Sequence, residues 1–374
     1  MDSLASRRKV RSRPGRLVVP AACVAALLLG ACTQQAVEPE PWTPTASPVP
    51  TSTAGCGLQE LPASWQAALK PTTLKPANEV SLLARDATTG RALYVGSGST
   101  VVLTEPGSEP RVVFEFVAPE TVWQAVIDGE WMVVLTQDDV GMTKAHARRL
   151  GGEPFQVPLR GGDDSQALPY ILLHNGTLFV SVISDPNIKD WTALAVNLAT
   201  GGHVELMNTA STLSFLRWND CVVLAQAFGN SPGKITAIDA DTLSQVEVPA
   251  VLSGLGDGIY TASDGDTAAW ASPTSPRLTI ARQGWPTSRD YRLPGDRVEQ
   301  LTVWGRYAVA LSGERYWILD VETGQYAPLT IEWGSAIVSG GLLATSEMAN
   351  AKGGSAGLRE LDLTSVPPLP ACTR

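Results

Sequence analysis

Histidine is scarce: His146, His174 and His203 are the only three in 374 residues. No two of them fall at ligand spacing, which argues against a histidine-based zinc centre. None follows His203, so Gly229-Asn-Ser-Pro-Gly233 has no downstream base to complete a serine hydrolase, and Pro232 has no amide for an oxyanion hole. Asp138-Asp139 and Asp163-Asp164 lack the spaced oxygen ligands and glycine of a calcium loop. No catalytic residue, metal site or cofactor is therefore expected. Basic runs are missing beyond the N-terminus. Without residues 1–31, 22 Lys and Arg face 36 Asp and Glu, a formal charge of −14. A body this acidic repels phosphate backbones, which excludes nucleic acid as a partner.

What is present begins with an address. Arg7, Arg8, Lys9, Arg11, Arg13 and Arg16 precede an apolar run from Leu17 to Leu29 that is too short to span a bilayer and contains Pro20. This reads as a signal peptide over residues 1–31. Leu29-Gly30-Ala31-Cys32 resembles the bacterial lipobox, which implies diacylglycerol on Cys32 and a lipid-anchored protein facing the extracytoplasmic side of the cell membrane. Residues 32–55, rich in Pro, Thr and Ser, cannot build a core and read as an extended tether. Residues 56–374 form the domain.

Three cysteines remain beyond the leader and the lipid site. Cys56 opens the domain and Cys372 nearly ends it, so a ring-shaped fold would favour a Cys56–Cys372 bridge. Cys56–Cys221 is the competing pair, with Cys221 otherwise a buried thiol at the head of an apolar strand.

The domain is patterned as short strands in fours. Val298 to Thr330 contains four runs rich in β-branched and aromatic residues, each broken by a turn former. The turn between the first two strands recurs at Thr89-Gly90, Asp128-Gly129, Asn175-Gly176, Asn219-Asp220, Asp264-Gly265, Trp304-Gly305 and Gly340-Gly341. Successive steps are 39, 47, 44, 45, 40 and 36 residues, the length of a four-stranded propeller blade. The expected fold is all-β, a seven-bladed propeller of antiparallel blades, with six or eight blades as alternatives. The last blade lacks a good fourth strand. Either the prolyl tail VPPLPACTR or the stretch near Thr72 to Leu74 must supply it. Residues 58–70 read as one short amphipathic helix with Leu61, Trp65 and Leu69 along one face.

A second recurring turn closes third strands: Asn197 to Gly201, Asp239 to Thr242 and Asp320 to Gly324. This hydrophobic-Asp-x-x-Thr-Gly pattern resembles the quinoprotein-like and YncE-like propeller families over roughly residues 80–366. Quinoprotein enzymes carry a docking tryptophan four residues beyond that turn. Glu205 and Pro328 occupy those places here, so the resemblance implies the fold and not a quinone-dependent dehydrogenase.

Loops between second and third strands and links between blades are long, and strand alternation puts both classes on one face of the disc. Long loops on a rigid scaffold are where binding concentrates. On that face Trp191, Phe228 and Trp333 are candidate aromatic anchors, with Asp138, Asp139, Asp185 and Asp190 around them. The expected function is a non-enzymatic binding or assembly module at the cell envelope, for a protein or glycan partner. A metal-dependent lyase or lactonase and a small-ligand sensor are the other classes considered.

Overall fold

The structure is a computed structural model. It describes residues 51–52, 56–74, 80–96, 99–159, 166–185, 190–209, 212–227, 234–255, 260–272, 274–331, 334–347 and 357–371. Cys32, Phe228, Trp333 and Cys372 lie outside the described residues, as do the signal segment and Asp163-Asp164.

The chain forms seven sheets, each built on an antiparallel run of strands consecutive in sequence. Blade 1 comprises Ser81–Arg85, Ala92–Val95, Thr100–Thr104 and Arg111–Glu115; blade 2 comprises Thr121–Asp128, Trp131–Gln137, Thr143–Arg149 and Phe155–Gln156. Blade 3 runs from Gln166–His174 to His203–Thr209 and blade 4 from Thr212–Trp218 to Gln245–Val246. Blade 5 runs from Tyr260–Ser263 to Arg289–Arg292, blade 6 from Val298–Trp304 to Gln325–Leu329, and blade 7 holds Gly334–Ser339, Leu342–Glu347 and Gly357–Asp362. The first strands of successive blades neighbour one another all the way round, blade 7 returning to blade 1. This is a seven-bladed propeller with its first strands around the axis.

The turn chemistry explains the repeat. Gly90, Gly129, Asn175, Gly176, Asn219, Gly265, Gly305, Gly340 and Gly341 all have positive φ. Only glycine, and at modest cost asparagine, takes that conformation freely, which is why these residues recur at this one place. The Asx turns form as well. Asn197 Oδ1 accepts the Thr200 amide at 3.0 Å and Asp239 Oδ1 that of Thr242 at 2.7 Å.

The core lies between blades. Val133, Leu135 and Ala145 of blade 2 pack on Ile171, Leu178 and Leu194 of blade 3, and the same arrangement is found between other neighbouring blades. Middle strands are therefore buried on both faces, and runs such as Met132 to Leu135 and Ala268 to Ala271 are solvent-free throughout. Near the turns, polar bonds tie each blade to the next. They are Arg91 Nη1 to Gly129 O at 3.1 Å, Asn175 N to Asp128 Oδ2 at 2.7 Å, Asn175 Nδ2 to Asp241 Oδ1 at 3.3 Å and Asn219 N to Gly265 O at 2.9 Å. Gly305 N to Asp264 Oδ2, Val338 N to Thr302 Oγ1 at 2.9 Å and Arg85 N to Ser339 Oγ at 2.9 Å complete the circuit.

The N-terminal segment finishes the ring. Lys70–Pro71 pairs antiparallel with Arg359 and Glu360 as the outer strand of blade 7, and the Thr72 amide extends it to Leu358 O at 2.9 Å. Of the two stretches considered, the one beside Thr72 fills the place and the prolyl tail does not. Pro71 is tolerated because an outer strand needs no further donor. Upstream, Cys56–Gly57 adds a parallel fifth strand to blade 6 and Thr51–Ser52 one to blade 5. Thr51–Ser52 falls inside the stretch whose composition reads as tether. The helix spans Ala63–Ala68, with Trp65 fully buried and its indole donating to Pro367 O at 2.9 Å. Cys221 is a free thiol and only half-buried, a correction to its reading as a buried residue. It stands at the first position of its strand, beside the exposed Asn219-Asp220 turn.

Candidate functional site

A cavity of about 910 Å³ occupies the axial channel, bounded by the first strands and the turns that follow them. Its waist is apolar, with Ile171, Phe215, Leu301 and Ile337. Its mouth on the tight-turn side is charged: Asp86, Asp128, Asp220, Asp264 and Asp266 stand with Arg85 and Arg217. Asp128, Asp220 and Asp264 come from the turn dipeptides themselves, and Asp86 and Asp266 flank such turns, so the residue types that shape the hairpins also charge the opening.

Most of the carboxylates are committed. Asp86 accepts from the Thr88 amide at 2.8 Å and the Thr89 hydroxyl at 2.8 Å, and Asp128 holds Asn175 N of the next blade. Asp264 accepts amides from Gly305, Thr267 and Asp266. Burial pushes its carboxyl above the ordinary range, against the pull of those three donors. In the channel wall the Gln124 side-chain oxygen is buried without a hydrogen-bond partner. Among the described residues, no three His, Cys, Asp or Glu converge as metal ligands.

The sequence candidates lie elsewhere. Asp138 and Asp139 occupy the turn between the second and third strands of blade 2. Asp138 Oδ1 accepts the amides of Val140 at 3.2 Å and Met142 at 2.7 Å, closing its own loop, while Asp139 is exposed. Asp185 and Asp190 are register partners at the end of the blade 3 hairpin, followed by half-buried Trp191 opposite Ile183 and Thr209. These residues therefore belong to two neighbouring blades on the long-loop side. The acidic mouth of the channel was missed because Asp at a turn is read first as turn chemistry; its recurrence at or beside the inner turns of blades 1, 2, 4 and 5 is the signal that would have shown it.

No protein-family profile matches the chain. No curated protein matches it either. Its likeness is to solved structures. A WD40 propeller domain of Doa1 aligns with a TM-score of 0.52 and 13% identity, over 78% of this chain and 96% of that one. A prolyl endopeptidase aligns with a TM-score of 0.54 and 15% identity, over 81% of this chain and 49% of that one, so the match spans about half of the endopeptidase. BamB from Moraxella catarrhalis aligns over 63% of this chain and 82% of its own length, at 13% identity and a TM-score of 0.35. At these identities the likeness carries the propeller fold alone, and the quinoprotein-like and YncE-like resemblance rests on the turn motif alone.

Proposed function

We propose that the chain is an exported lipoprotein, anchored to the membrane through diacylglyceryl-Cys32, whose propeller is a non-enzymatic binding or assembly module at the extracytoplasmic face of the cell envelope. The observation that carries this reading is the route of the N-terminal segment. Downstream of the Leu-Gly-Ala-Cys sequence it is stitched onto the rim of blades 5, 6 and 7, so an anchor at Cys32 would be joined to the disc at its edge. A rim attachment leaves the two axial faces to a partner, and the long-loop face with Trp191 and Asp190 is the one offered to an envelope protein or glycan. A rigid closed ring suits that role, because a preorganised surface loses little freedom on binding.

Fractionation and crosslinking test it. Cys32→Ala should move the protein from the membrane to the soluble fraction, and one partner crosslinked to the native form should be lost in a Trp191→Ala, Asp190→Ala variant. Membrane retention of the Cys32 variant would remove the anchor, and an unchanged crosslink would remove the long-loop face. A small-ligand sensor is the second reading, favoured by the charged channel with its unpartnered Gln124 oxygen. A small molecule co-purifying in stoichiometric amount, lost in Gln124→Leu, would move it ahead.

A further inference from the structure

At the junction of blades 3 and 4, polar atoms of three side chains form a closed triangle. His174 Nε2 lies 3.3 Å from Asp241 Oδ1, and Asn175 Nδ2 lies 3.1 Å from that nitrogen and 3.3 Å from that oxygen. His174 ends the first strand of blade 3, Asn175 opens the tight turn after it, and Asp241 stands in the Asx turn after the third strand of blade 4.

Backbone contacts fix each corner. Asn175 has a φ of 47°, and its backbone N–H donates to Asp128 Oδ2 of blade 2 at 2.7 Å. Asp241 N donates to Asp239 Oδ1 at 3.2 Å, and Ala240 N to Asp220 O at 2.8 Å. The His174 side chain is 6% exposed and that of Asp241 65%, so the triangle is rooted in the disc and open to solvent on its carboxylate side.

Hydrogen bonds alone cannot match all three edges. With Nε2 unprotonated, the Asn175 NH2 serves both neighbours, but the imidazole and the carboxylate face each other as two acceptors. With Nε2 protonated, His174 donates to Asp241 and then meets the Asn175 nitrogen donor to donor. A half-turn of the amide exchanges Nδ2 for Oδ1, which removes that clash and sets two oxygens against each other. Every placement of protons leaves one edge unmatched, whereas a cation at the centre satisfies three lone pairs at once. The spacing agrees. Donors about 2.1 Å from a common ion stand about 3.0 Å apart at right angles and about 3.4 Å apart at the tetrahedral angle, and all three edges fall between these. Among the described residues no Lys or Arg pairs with Asp128, Asp239 or Asp241, so the surrounding charge also favours a cation.

We propose that His174 Nε2, Asp241 Oδ1 and Asn175 Oδ1 hold a first-row divalent cation of the zinc class, which ties blade 3 to blade 4 and fills its remaining positions with water. The imidazole donor selects zinc, cobalt or nickel over magnesium and calcium, which take oxygen ligands.

The test is calorimetric titration of zinc chloride into the untagged full-length protein in detergent micelles, after removal of metal by EDTA. Saturable binding of one ion is expected, undisturbed by excess magnesium or by His203→Ala and weakened at least about tenfold by Asp241→Ala. Asp241 is exposed, so the Tm of the metal-free protein should hold in that variant. Asn175→Asp decides by sign. Aspartate tolerates the left-handed φ as asparagine does and offers a carboxylate in place of an amide, so zinc should bind at least about tenfold tighter. Zinc should then raise the Tm of Asn175→Asp more than that of the native protein. A triangle held by hydrogen bonds alone predicts the reverse, a lowered Tm that zinc does not restore. That result, no saturable binding to the native protein, or binding indifferent to Asp241→Ala would overturn the proposal. Binding lost in Cys221→Ser and kept in Asp241→Ala would place the ion on the thiol and overturn it as well.

Discussion

The phenol of Tyr94 in blade 1 donates to the Glu360 carboxylate in blade 7 at 2.6 Å, across the seam where the ring closes. Glu360 is also the register partner of Lys70, so one side chain sits where the first blade, the last blade and the returning N-terminal strand meet. Burial, with the adjacent Glu360 charge, pushes the Tyr94 phenol well above the ordinary tyrosine range.

Tyr94→Phe should therefore lower stability by about 1.5–3 kcal/mol, the worth of a hydrogen bond to a charged group. The sign of the pH effect follows from the raised value. The folded state keeps its phenolic proton while the unfolded chain loses it near pH ~10. Stability is thus fully present below that pH and is lost as pH rises above it. Urea melts at pH 8 and 10.5 should show a steeper alkaline loss in the native protein than in Tyr94→Phe, and parallel losses would show that the seam tyrosine is not the titrating group.

Trp65→Ala should cost about 3–5 kcal/mol, the range for emptying a fully buried aromatic site. Because Trp65 belongs to the N-terminal segment and packs on both blades 6 and 7, the damage should concentrate at the seam. Hydrogen exchange should rise first in Gly357–Asp362 and leave blades 2 and 3 protected. Uniform loss of protection would mean that the ring melts as one unit instead of opening at the seam.

Acid should weaken the Asx turns. The Thr242 amide and hydroxyl hold the Asp239 carboxyl below its ordinary range. At Asp362 burial pulls upward, but the Thr364 hydroxyl and amide prevail and the carboxyl is again lowered. A depressed carboxyl contributes stability above its unfolded pKa of about 3.9 and loses it as pH falls through the folded value. Asp264 has the opposite sign: its raised carboxyl favours folding most below about pH 3.9 and declines as pH rises through the folded value. The Tm of Asp239→Asn, Asp362→Asn should fall less between pH 4 and 2.5 than that of the native protein. An unchanged acid slope would take these turns out of the account.

Cys221 is free, which leaves Cys56–Cys372 as the pairing we expect. The described tail reaches the N-terminal helix, with Leu369 in the same cluster as Leu61 and Trp65. Non-reducing peptide maps should show one disulfide, unaffected by Cys221→Ser, and Cys56→Ser should destabilise by about 2–5 kcal/mol. A Cys221-containing disulfide would refute this.

The ring was legible in the sequence because its inner turns demand positive φ, and few residues satisfy that demand. Asn175, Asn219, Gly265 and Gly305 therefore stand out at blade spacing without any knowledge of packing. Of the added strands, only the one beside Thr72 was legible, as one of two candidates to complete blade 7. Lys70–Pro71, Cys56–Gly57 and Thr51–Ser52 are two residues each, too short for periodicity, and they are defined by the edges they meet. The channel mouth was hidden for another reason: Asp86, Asp128 and Asp264 serve first as turn and junction acceptors, and only the assembled ring gathers them.

The bond from Trp65 to Pro367 spans 302 residues of sequence. The helix that carries Trp65 leaves a ribosome, or emerges from a translocation pore, long before its docking site beside Pro367 has been made. Blades 1 to 6 can stack as they appear, each on its predecessor, but Lys70–Pro71 must wait for Gly357–Asp362. Completion is therefore an event that follows synthesis of the whole chain. Until then blade 7 has an open edge and the Trp65 segment is unplaced, the interval in which a holding chaperone has most to bind and a truncated chain most readily aggregates.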